Sequence, residues 1–114
     1  MNETVTCARG AFLDTWSGHD WRDGVQVESL DDLAEMVVRT ENSTYEITII
    51  SGRTGEILIR GGKFFPEFTP ARLAGSSLGG SFLKVRGIYA GFNIEISVNS
   101  RTIITSRVRS LSVE

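Results

Sequence analysis

The sequence predicts a mainly all-β fold: a small antiparallel β-barrel or roll of about six to seven strands, with one or two short helical turns and an N-terminal arm. Three observations carry this expectation. Over residues 44–50, 56–60 and 92–98, side chains alternate with period two, the pattern of strands with one wet face. The chain has 12 glycines and only 2 prolines, so turns are frequent and Pro-rich linkers are absent. Its 114 residues suffice for one domain, and closing so short a meander into a barrel removes exposed edges. The expected organisation is an aromatic, acidic arm over residues 1–24 and a single small β-barrel domain over residues 25–114.

The arm shows no sustained periodicity but holds Phe12, Trp16 and Trp21. Each aromatic covers roughly 150–250 Å² when buried, so these three form a candidate partner interface, docking on the same domain or on a neighbouring subunit. Ser29 with Asp32 three residues on resembles a capping box, and Leu30, Leu33 and Val37 have helical spacing, which predicts a short helical turn. Residues 36–40 read as extended because β-branched residues follow closely.

After a turn at 41–43, Tyr45, Ile47 and Ile49 share one face. Gly52 and Gly55 mark a hairpin loop, and Ile57 and Ile59 face the core on the returning strand. Gly61 and Gly62 end that strand, and the clustered Phe64, Phe65 and Phe68 read as core. Thr69, Pro70 and Gly75 stand at capping, first-turn and terminal positions, which predicts a short helix. A loop over 75–81 precedes an alternating segment at 82–86 and a short strand or bend at 87–91. Residues 92–98 then pair with 102–108. Val108 has the opposite parity to Leu111 and Val113, so a bulge or break is expected near Arg109 and Ser110. The expected core contains Ile47, Ile49, Ile57, Ile59, Phe92, Ile94, Ile96 and Val108.

Net charge is −2, but residues 1–50 carry −7 and residues 51–114 carry +5. Mutual neutralisation of the two halves is the favoured reading, and an anion-binding C-terminal half is the other. One cysteine and one histidine exclude an intrachain disulfide and a zinc cluster of thiolates and imidazoles. His19 beside Asp20 reads as a surface or interface histidine rather than a catalytic base. No metal and no cofactor is expected: the acidic residues Asp20, Asp23, Glu28, Asp31, Asp32 and Glu35 do not follow a calcium-loop pattern.

Gly75, Ser76, Ser77, Gly79, Gly80 and Ser81, with Lys84 and Arg86 beyond, form a candidate anion-binding stretch, since amides in a glycine-rich turn can cradle a phosphate. It lacks the terminal Gly-Lys-Ser/Thr of a phosphate-binding loop, and a tight turn needs the same glycines. Ser81 and Lys84 match a Ser-x-x-Lys pattern with neither of its partner motifs. Lys63 beside Phe64 and Phe65, then Lys84, Arg86 and Tyr89, set cations near aromatics, the parts of a single-strand binder.

The resulting expectation is a non-catalytic binding or assembly module, homo-oligomeric or joined to another protein. The alternatives are nucleic-acid or polyanion binding through the basic half, and a small-molecule site at 75–81. No apolar run approaches the roughly 18 residues of a membrane span, and residues 1–7 lack a secretory pattern, so no membrane partner and a cytoplasmic location are expected.

Overall fold

The computed structural model describes residues 23–78 and 81–114, apart from the Ser81 side chain. Phe12, Trp16, Trp21, His19, Asp20, Gly79 and Gly80 lie outside the described residues. The strands are β1 (Gly24–Gln26), β2 (Glu35–Thr40), β3 (Thr44–Ser51), β4 (Glu56–Gly61), β5 (Phe65–Leu78), β6 (Ser81–Val85), β7 (Gly87–Tyr89), β8 (Asn93–Val98), β9 (Arg101–Ile104) and β10 (Val108–Val113). All pairings among them are antiparallel. The main sheet runs β10-β2-β3-β4-β5-β8-β9, with β6 also on β5, and β1 pairs with β7 in a two-stranded sheet.

The alternation translates directly into burial. In the β3–β4 hairpin Ile47 faces Ile59 and Ile49 faces Ile57, and all four are buried. All eight expected core residues are buried, joined by Val27, Met36, Val38, Tyr45, Phe65, Leu73 and Ile88 among others. Burial of each large aliphatic side chain contributes roughly 1.5–3 kcal/mol, so this shared face is the main stabilising feature.

No closed barrel is found among the described strands; β10 and β9 stand at the two ends of the sheet path. The path nevertheless curls. Val108 donates from its amide to the Phe92 carbonyl (2.9 Å) and accepts from the Gly91 amide (2.8 Å), which brings the start of β10 against the start of β8. The β8–β9 hairpin forms, but its pairing runs from Val98–Arg101 to Glu95–Ile104, with Arg101 in the strand rather than in the turn, and it stops there instead of reaching Val108. The chain then turns through 105–107, and β10 crosses to β2. The bulge expected near Arg109 and Ser110 is present, as a register shift between Val108 and Ser110.

Two expected helices are absent. Around Ser29 the helical part is a single 3-10 turn, Val27–Ser29, and the Ser29 hydroxyl donates back to the Gln26 carbonyl rather than capping a helix. Leu33 is exposed with φ +69. The Leu33 amide donates to the Ile49 carbonyl and the Ile49 amide to the Ala34 carbonyl, so the sheet takes the groups a helix would have used. Residues 69–75 lie inside β5, a 14-residue strand with β4 on one side and β8 on the other. The Leu73 amide donates to the Gly55 carbonyl and so sets the phase of the β4–β5 ladder. Pro70, opposite Leu58, therefore points its missing donor away from β4, past the end of β8 at Val98.

The phenylalanine cluster is not all core. Phe65 is buried, but Phe64 sits in the β4–β5 turn and Phe68 on the outer face of β5, both exposed. Arg60 lies over the Phe68 ring, 4.4 Å from its centroid. Among the described residues, no helix is long and apolar enough to cross a membrane.

Candidate binding cleft at the turn end of the sheet

The candidate anion-binding stretch, expected as a loop, is strand as far as Leu78. Gly75, Ser76 and Ser77 are buried, with β6 and β8 paired on either side. The Ser76 hydroxyl donates to the Gly87 carbonyl (2.9 Å) and accepts from the Tyr89 amide (3.1 Å). Ser81 opens β6, Lys84 is half-buried on it, and Arg86 follows at φ +56.

Arg86 forms an ion pair with Glu28 (3.0 Å), and Arg60 one with Glu46 (2.7 Å). Each pair joins an acidic residue of the first half to a basic residue of the second, which is the neutralising arrangement. The Gln26 side-chain amide donates to Glu28 (2.6 Å). That hydrogen bond, followed by those from Arg86, holds the Glu28 carboxyl below its ordinary 4.5, against the opposing effect of burial. Burial, with the Glu28 charge adding to it, raises the Tyr89 phenol above 10.0.

A cleft of about 860 Å³ opens where three turns converge. One wall is the β2–β3 turn with Asn42 and Ser43, the second is Lys63 and Phe64 from the β4–β5 turn, and the third begins at Ile104. Hydroxyls fasten the first wall to the third. Thr40 Oγ1 donates to the Ser43 carbonyl (3.1 Å) and accepts from the Ser43 amide (3.1 Å). Ser106 Oγ donates to Thr40 Oγ1 (2.8 Å) and accepts from the Asn42 amide (3.1 Å). Thr105 Oγ1 is equally engaged, donating to the Ser106 carbonyl (2.7 Å) and accepting from the Ile94 amide (3.1 Å).

The second wall depends on two glycines. Gly61 and Gly62 have φ of +134 and +60, and a Cβ on Gly62 would lie 2.8 Å from the Tyr45 hydroxyl. Tyr45 is 4% exposed, and its ring meets Phe65 edge-on at 6.5 Å. Its hydroxyl has no hydrogen-bond partner among the described residues, and Tyr45 lines the cleft. Phe64 and Ile104 are 48% and 44% exposed, and Lys63 Nζ stands 5.8 Å from the Phe64 ring centroid.

Phe64 also borders a second cleft of about 230 Å³, which Asn99 and Arg101 help to line. No acidic side chain lines either cleft among the described residues. The alternation set Tyr45 on the face of Ile47 and Ile49 but did not reveal the cleft, because its walls are turns distant in sequence. The readable signal was Gly61-Gly62 directly before Lys63-Phe64: paired glycines where a backbone must pass close to a ring.

The hydroxyls of Thr105 and Ser106 are both engaged in hydrogen bonds that hold the cleft walls together. No group of three or more His, Cys, Asp or Glu residues suited to a metal ion occurs among the described residues. Compared with known family models, curated proteins and solved structures, the chain matches none.

Proposed function

We propose that the chain is a non-catalytic binding module built on a β-roll, with the cleft beside Phe64 as its working surface. The observation that carries this reading is the Tyr45 hydroxyl: a polar atom on a nearly buried ring, without a protein partner, beside an exposed phenylalanine. A phenol whose oxygen opens onto a cleft can exchange hydrogen bonds with a ligand seated there. Amide chemical-shift mapping with a set of small planar acids, phosphates and sugars tests it. The expected shifts cluster at Asn42, Ser43, Lys63, Phe64 and Ile104. Shifts confined to other parts of the sheet would remove the cleft from this role.

Assembly of copies into a homo-oligomer is a second reading, favoured by the open ends of the sheet. The Glu114 amide donates to the Glu35 carbonyl, so the ladder alternation turns the backbone groups of Leu111 and Val113 away from β2. Such an edge accepts a further strand. Mass-resolved size exclusion at low and high salt is the measurement; a monomer at every concentration would discard this reading.

A further inference from the structure

We propose that the Phe64 clefts take a nucleotide, with its base stacked on the Phe64 ring and its phosphate held by Lys63. This rests on the binding-module reading and names its ligand class. Three features select that class together. Phe64 lies on a turn, half-exposed, and lines both clefts. Each cleft contributes one cation, Lys63 to the larger and Arg101 to the smaller, and neither is lined by an acidic side chain among the described residues. The larger cleft adds the unpartnered Tyr45 hydroxyl and the exposed Asn42, which can exchange hydrogen bonds with a base edge.

A lone anion would use Lys63 and leave the ring and the phenol idle. An apolar ring without charge would leave Lys63 idle. A base bearing a phosphate engages all of them, and the larger cleft, at about 860 Å³, lies within the usual range of small-molecule sites. Stacking is available to any base, because every base has a flat face. The same chemistry comes from two sources, a free nucleotide or one unit of a single strand. A strand passing over Phe64 would lay one phosphate near Lys63 and the next towards Arg101.

The test uses the full chain. Anisotropy of a labelled single-stranded oligothymidylate of about ten nucleotides is measured at several salt concentrations. Amide shift titrations with AMP and UMP, with inorganic phosphate alone and with benzoate, run beside it. Binding is expected to shift the cleft amides. Phe64→Ala is expected to weaken it about 10- to 100-fold, while Phe64→Trp retains it. Lys63→Gln is expected to flatten the plot of log affinity against log salt by about 0.7. Arg101→Gln separates the sources: it weakens the strand and spares AMP and UMP if the ligand is a strand, and affects none of them if the ligand is a free nucleotide.

Thermal melts establish that each variant is folded, and Lys63→Gln with Phe64→Trp keeps the test open if Phe64→Ala does not fold. Unchanged affinity in folded Phe64→Ala, or inorganic phosphate binding as tightly as AMP, overturns the proposal. If no nucleotide binds but benzoate shifts the cleft amides, the nucleotide inference falls and the binding-module reading stands. If no probe, including the planar acids and sugars above, shifts the cleft, both fall.

Discussion

The Ser76 side chain performs the work of a strand. The Val27 amide donates to the Arg86 carbonyl and sets the phase of the β1–β7 ladder, so Gly87 and Tyr89 turn their backbone groups away from β1. The Ser76 hydroxyl sits between the Gly87 carbonyl and the Tyr89 amide and satisfies both. A serine read as a candidate anion ligand thus has a structural duty, which a sequence cannot display because the residues it joins are 11 and 13 positions away. Ser76→Ala would leave a buried donor and a buried acceptor without this partner, and should destabilise the protein by about 1–3 kcal/mol in urea unfolding. Ser76→Ala with unchanged stability would show that the two groups find other partners without cost.

Local signals decided the elements only where no longer-range pairing competed. Tyr45, Ile47 and Ile49 needed nothing beyond their own alternation to be placed. By contrast, Thr69, Pro70 and Gly75 carry helix-end signals yet lie in β5, because β4 and β8 supply ladders on both sides. Apart from the Gly61-Gly62 pair beside Lys63-Phe64, the candidate cleft left no local trace for the same reason: it joins turns that only the completed sheet brings together. The β8–β9 hairpin shows a local signal that is imperfect but sufficient. Its two turn residues, Asn99 and Ser100, have φ of +49 and +66, the left-handed pair of a tight hairpin turn. Asparagine tolerates that region and glycine suits the second position better than serine. Ser100→Gly should therefore stabilise the protein by about 1 kcal/mol, read as a higher Tm. A lower Tm would mean that the Ser100 side chain contributes contacts outweighing the backbone strain.

At the scale of the molecule, two exposed ion pairs join residues of opposite charge from the two halves of the chain. Glu28–Arg86 and Glu46–Arg60 tie the acidic half to the basic half across the fold. Such exposed pairs contribute little individually, but they set the direction of the pH response. The Glu28 carboxyl is held below 4.5 in the folded chain, so folding favours its ionised form. Its contribution is present above that value and is lost as pH falls through the lower folded value. Glu28→Gln should therefore lower Tm near neutral pH, and the gap from the parent should close as pH is taken below about 4. A gap that stays constant down to the acid limit would assign the effect to packing rather than to charge.

The union of β10 with β2 sets an order of events during synthesis. β2, β3, β4 and β5 follow one another and can pair as they emerge, whereas Val108 reaches Thr40 only after 67 intervening residues have been made. Until then one margin of the growing sheet stays open beside Met36 and Val38. A nascent chain in that state has an unsatisfied backbone margin next to apolar side chains, the combination that recruits chaperones or seeds aggregation. Long-range pairing of this kind also slows folding, so the interval of vulnerability is governed by the arrival of the last strand rather than by the speed of the first hairpins.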